Sequence, residues 1–110
     1  MKYEFTKNTP EKENELMLAY LENEDGTLSY LEAWDEEDWW SDISSDMLMD
    51  KEESEFVLNH DLALNTGFVK ALADYIAESV REVRFGRWNT KTYVFKLKPN
   101  WKELCVPLEG

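Results

Sequence analysis

Residues 32–55 read EAWDEEDWWSDISSDMLMDKEESE, and the backbone that this stretch adopts decides how the chain folds. It holds eleven carboxylates and one cation, Lys51, so its net charge of −10 accounts for most of the chain's −12. Trp34, Trp39, Trp40, Ile43, Met47, Leu48 and Met49 are threaded between the acids. Solvated acidic tails lack such residues, because a disordered segment has few aromatics and little to bury. Acid and aromatic together indicate a folded surface that is negative by composition. Trp40, Ile43 and Met47 fall at helical spacing with Trp39 beside Ile43, which predicts a short acidic helix over about residues 35–50. Asp38, Asp42, Asp46 and Asp50 then recur every fourth residue along one exposed stripe, unless Ser44 and Ser45 divide it into two shorter helices.

Outward from that stretch, the N-terminal side reads as strands. Residues 2–7 (KYEFTK) alternate, with Tyr3 and Phe5 on one side. Residues 16–21 (LMLAYL) form a continuous apolar run that fits a buried strand or a buried helix. The turn at Asn23-Glu24-Asp25-Gly26, followed by TLSYLEAW over residues 27–34, favours a hairpin. On the C-terminal side, residues 55–60 (EFVLNH) suggest a short strand or extended connection. Asn65-Thr66-Gly67 supplies cap chemistry for a long amphipathic helix over about residues 66–83, with Phe68, Leu72, Tyr75, Ile76, Val80 and Val83 as its apolar face. Residues 92–98 (TYVFKLK) alternate as a strand, and residues 101–108 add a last extended piece. The expected fold is therefore α+β: one domain over residues 1–110, a mostly antiparallel sheet with the long helix packed on it.

Composition narrows the function. With 43% hydrophobic residues and fifteen aromatics, 110 residues can fill one core. No apolar run approaches the ~20 residues of a membrane span, and the opening MKYEFTKNTPEKENE carries no apolar signal region, so a reducing, cytoplasmic setting is expected. Cys105 is the only cysteine and reads as a small buried hydrophobe. Residues 1–65 contain nineteen acids and four lysines, net −15, whereas residues 66–110 contain five acids and eight bases, net +3. Direct nucleic-acid binding and anionic membranes are disfavoured, because phosphate contacts need a basic surface. The expected partner is itself basic. Arg81, Arg84, Arg87, Lys91, Lys96, Lys98 and Lys102 could form a patch of their own with Trp88 and Tyr93, but are rather expected to pair internally with acids of the first half.

The aspartate stripe is the most pointed feature. On a helix it would place one charge per ~6 Å, against one phosphate per ~3.4 Å along each strand of duplex DNA, with Asp35, Glu36, Glu37, Glu52 and Glu53 narrowing the gap. Three like-charged pairs at four-residue spacing would cost ~1 kcal/mol of helix stability. The candidate partner-binding residues are Asp35, Glu36, Glu37, Asp38, Trp39, Trp40, Asp42, Asp46 and Asp50, the tryptophans acting as desolvated anchors. The competing reading is a solvated face that maintains solubility, with both tryptophans in the core. Asp42, Ser44, Asp46, Asp50 and Glu53 also fall at positions 1, 3, 5, 9 and 12 of a calcium loop and resemble the EF-hand pattern. Met47 stands where that turn needs Gly, so no metal or other cofactor is assigned.

An enzyme is not expected. His60 is the only histidine, and no P-loop or glycine-flanked nucleophilic serine accompanies it. In charge and size, though in no shared motif, the chain resembles the small acidic inhibitors that phages and mobile elements direct at nucleic-acid-binding machinery, such as anti-CRISPR and anti-restriction decoys. That resemblance implies a nucleic-acid mimic that blocks a basic site on a protein target. The alternative is an immunity protein neutralising a cognate toxin, and gene neighbourhood discriminates the two.

Overall fold

The computed structural model of the chain describes residues 2–46 and 51–108. Its elements run β1 (Glu4–Thr6), β2 (Glu15–Glu22), β3 (Leu28–Trp34), β4 (Trp39–Asp42), β5 (Ser44–Ser45), β6 (Glu55–Leu58), α1 (Thr66–Ile76), β7 (Ala77–Phe85), β8 (Thr90–Leu97) and β9 (Val106–Pro107). Single 3-10 turns occupy His60–Leu62 and Trp101–Leu104. The fold is α+β, with mostly antiparallel sheets and one helix among the described residues.

Two sheets share the chain between Trp39 and Ser45. In the first, β1, β2, β3 and β4 are neighbours in that order, and β9 lies alongside β2. Only β1 and β9 run parallel to their partner. In the second, the order is β5-β6-β8-β7, and every pairing is antiparallel. The crossing point is Ile43. Its amide donates to the Leu31 carbonyl of the first sheet, and its own carbonyl accepts from the Asn59 amide beside the second. Its side chain is fully buried, which fixes the junction in the core.

The β2–β3 hairpin follows from its turn chemistry. Gly26 takes a positive φ of 86°, which a side chain would disfavour, and the Asp25 carboxylate accepts from the Thr27 amide and hydroxyl. Leu16, Leu18 and Tyr20 then bury one face of β2 against Leu31 and Ala33. Helix α1 opens where expected, the Asn65 side chain accepting from the Phe68 amide at 3.1 Å. Phe68 sits at the centre of the packing, its ring 5.4 Å from Tyr3, 6.0 Å from Phe5 and 5.2 Å from Trp40. Leu72 and Ile76 continue its buried row toward Phe95 and Leu97 of β8.

Two expected helices are corrected. The long helix over 66–83 ends at Ile76, because Ala77 turns extended (φ −110°, ψ 142°) and β7 begins there. Val80 and Val83, which complete a helical stripe on paper, instead lie opposite Phe95 and Thr92 of β8. Backbone pairing with a strand already half buried outweighs a weak local propensity. The acidic helix over 35–50 is absent over its described part: residues 35–38 form a loop, and Trp39–Asp42 and Ser44–Ser45 are strands. Aromatic pairing across β3 and β4 suits Trp, while a helix would have stacked like charges at four-residue spacing. Residues 47–50, including Asp50 and the expected helical position of Met47, lie outside the described residues. Cys105 is buried, as expected, and burial pushes its thiol pKa up to about 12. No helix among the described residues is long and apolar enough to cross a membrane.

Candidate functional site

Strands β3 and β4 bring most of the predicted acids together by a route other than a helical stripe. Glu32 lies opposite Asp42, and Trp34 opposite Trp39, across the antiparallel pair. Because side chains alternate along a strand, Tyr30, Glu32 and Trp34 share the outer face with Asp42 and Trp39. The register slips by one residue between Ala33 and Trp34. Trp40 is therefore unopposed, and it packs on Tyr3 and Phe68. Trp39 stays on the outside with 49% of its surface exposed. Of the two predicted anchors, only Trp39 is exposed; Trp40 is half-buried, and Trp34 lies opposite Trp39 on the outer face.

The loop joining the strands is the run Asp35-Glu36-Glu37-Asp38. The Asp35 carboxylate accepts from the amides of Glu37 (2.8 Å) and Asp38 (2.9 Å), and the Asp35 amide donates to the Asp38 carbonyl. This closes the hairpin tip. The bonds from the Asp38 and Glu37 amides hold the Asp35 carboxyl below the usual carboxylate range. The Asp38 carboxylate accepts from the Trp39 amide at 2.7 Å, while Glu36 and Glu37 are exposed. At the other end of the face, Ser29, Tyr30, Asp42, Ser44 and Asp46 line a shallow pocket of about 140 Å³.

The electrostatics of this face are set by neutral donors. Like charges directly opposite each other on a sheet destabilise it, yet Glu32 and Asp42 are so placed, with Glu32 buried. The Trp34 indole donates to Glu32, and the Tyr30 phenol donates to Asp42. Both satisfy an oxygen and leave the charge in place. Burial first, then the bonds to Asp42 and Glu32, drive the Tyr30 pKa up. Among the described residues, Asp35, Glu36, Glu37, Asp38, Asp42 and Asp46 make no ion pair with Lys or Arg. The ion pairs lie elsewhere: Arg81 with Glu55, Lys96 with Glu52, Lys102 with Glu22, Lys70 with Asp74, and Arg84 and Lys91 with Glu82. Three of the seven cations expected to pair with acids of the first half do so, Arg84 and Lys91 pair within the second half instead, and none of these pairs reaches the 35–46 face.

Sequence reasoning missed Tyr30, Glu32 and Trp34 as site residues, although their alternation in TLSYLEAW already places them on one side of a strand. Among the described residues, no group of three or more His, Cys, Asp or Glu is arranged to hold a metal ion, and the calcium-loop spacing runs through residues 47–50, which lie outside them. His60 lies 3.4 Å from Asp61, its ring against Phe85. A larger cleft of about 550 Å³ runs between β1 and α1, lined by Tyr3, Phe5 and Tyr75. Its Asp74 is held by Lys70, so it is no part of the acidic face. Comparison with protein-family models, curated proteins and solved structures finds no match to this chain.

Proposed function

We propose that the chain is a non-enzymatic binding protein whose β3–β4 face docks on a basic protein surface that otherwise holds nucleic acid. The observation that carries this reading is the cluster of carboxylates from Asp35 to Asp46 without Lys or Arg partners among the described residues, with backbone amides on Asp35 and Asp38, Tyr30 on Asp42, and Trp34 on the neighbouring Glu32. A face that served solubility alone would have no need of partly buried neutral donors under its acids. Spacing is not part of the case. On a strand, alternate residues stand ~6.7 Å apart, and the hairpin loop, the slip at Trp40 and the crossing at Ile43 interrupt any regular row. What the face offers is charge density beside two aromatic anchors, suited to fast, electrostatically steered association. Trp34 and Trp39 supply the desolvated contact that such charge alone lacks.

The test uses the chain immobilised as bait. A partner should be captured from host lysate at about 50 mM salt and released at about 500 mM. Replacing Asp38, Asp42 and Asp46 with Lys should abolish capture while the circular dichroism spectrum is unchanged. The captured protein should bind DNA or RNA, and lose it to stoichiometric amounts of this chain. Capture that survives the reversal, or a partner that keeps its nucleic acid, overturns the reading. A captured nuclease encoded beside this chain's gene would identify the immunity form of the same interaction.

A further inference from the structure

We infer that β7 is a self-association edge, pairing antiparallel with β7 of a second copy about a two-fold axis through Val83. The strand is nine residues long and outermost in its sheet, and nothing among the described residues pairs with its far side. Residues 78–82 are exposed in succession, with Arg81 on Glu55 and Glu82 between Arg84 and Lys91 on the two faces of the strand. From Ser79 to Phe85 it runs against β8 without a slip in register. Edge strands are normally blunted by Pro, Lys, a bulge or a covering element, because unpaired amides and carbonyls template another strand. This stretch, SVREVRF, has no Pro and no bulge, and the charged side chains that would blunt it, Arg81, Glu82 and Arg84, are of both signs.

The occupant follows from the charges. A two-fold axis normal to the sheet places residue against residue on the same face, so each register is defined by the residue at its centre. Centring on Val80 sets Glu78 against Glu82. Centring on Arg81, Glu82 or Arg84 sets a charge against its own copy. Centring on Val83 sets Val against Val, Glu82 against Arg84 twice, and Arg81 against Phe85 twice. Registers nearer either end run into the slip between Ala77 and Ser79 or the turn at Gly86. Val83 is thus the one centre within the regular strand that opposes no like charges. Glu82 already lies 3.4 Å from Arg84 of its own strand and 3.9 Å from Lys91, so Arg84 of the second copy would complete a cationic ring around it. The acidic β3–β4 face belongs to the other sheet and is not consumed by this pairing.

Sedimentation equilibrium should give a concentration-dependent approach to twice the 13.0 kDa of one chain. Glu82→Arg turns both charge pairs repulsive and should weaken association about tenfold, as should Arg84→Glu. The double exchange E82R/R84E should restore it, an outcome that a merely misfolded single variant could not give. Independently, Val83→Cys should form a disulfide-linked dimer under mild oxidation, since directly opposed strand residues lie within disulfide reach and Cys105 is buried. A single-chain mass at millimolar concentration overturns the inference. So does a dimer indifferent to Glu82→Arg, or failure of the Val83→Cys variant to crosslink.

Discussion

The outer carboxylates of the β3–β4 hairpin meet neutral donors: the Tyr30 phenol on Asp42, the Trp34 indole on Glu32, and backbone amides on Asp35 and Asp38. A Lys in place of Tyr30 or Trp34 would have satisfied the same oxygens and cancelled the field. Tyr30→Phe keeps the ring and removes the donor, so it should cost about 1 kcal/mol, the typical net value for a hydrogen bond, since solvent at the exposed Asp42 weakens the gain from its charge, read as a shift in urea midpoint. The same residue gives a pH dependence. The folded chain holds the Tyr30 proton more tightly than the unfolded chain, which releases it near ~10. Tyr75, partly buried and donating to the Leu104 carbonyl, is shifted the same way. Stability should therefore fall as pH rises above about 10, because the unfolded state there binds fewer protons. In Tyr30→Phe that decline should be shallower.

At the level of elements, the hairpin tip depends on one side chain. Asp35→Ala removes the one oxygen that accepts from both amides and should lower the thermal midpoint, whereas Asp35→Asn retains an oxygen and should lower it less. Because the folded Asp35 pKa is depressed, its contribution is complete above the usual ~3.9 and is lost as pH falls through the lower folded value. Acid titration of the midpoint should show a step in the native chain that Asp35→Ala lacks. Helix α1 hangs on Phe68, whose ring touches three others, so Phe68→Ala should cost ~3–5 kcal/mol by denaturant unfolding. These elements also show where local sequence suffices. Asp25-Gly26 announces the β2–β3 turn, Asn65 announces the start of α1, and the alternation of Tyr93, Phe95 and Leu97 announces β8, because each depends on neighbours in the chain. The end of α1 has no such local mark. Ile76, Val80 and Val83 fit a helical period, and only the distant β8 makes Val80 and Val83 strand residues. The acidic stretch misleads for a related reason. The slip that leaves Trp40 unopposed breaks strand alternation there, while Trp40 and Ile43 keep a spacing that mimics a helix.

For the whole molecule, the question is which electrostatic term dominates: the seven ion pairs among the described residues or the repulsion among unpaired acids. Most of the pairs are exposed, Lys70 and Asp74 by 79% and 71%, and the His60–Asp61 contact is an ion pair only when the imidazole is protonated. Such pairs contribute ~0.2–1 kcal/mol each, and salt weakens them. Against them stands a net charge of −12 on a body of 40 × 35 × 23 Å. At about 10 mM salt the screening length is ~30 Å, so each acid on the β3–β4 face feels all the others and much of the remaining surface. At about 500 mM it shrinks below ~8 Å, and that repulsion is removed while contacts at bonding distance keep part of their strength. Added sodium chloride should therefore stabilise the chain by about 1 kcal/mol, seen as a rise of ~4 °C in thermal midpoint. Magnesium chloride at matched ionic strength should give the same rise, because screening is indifferent to the ion. A larger rise with magnesium would mean site binding at the acids. A fall with either salt would put the ion pairs ahead of the repulsion and leave no unbalanced field for a basic partner to recognise.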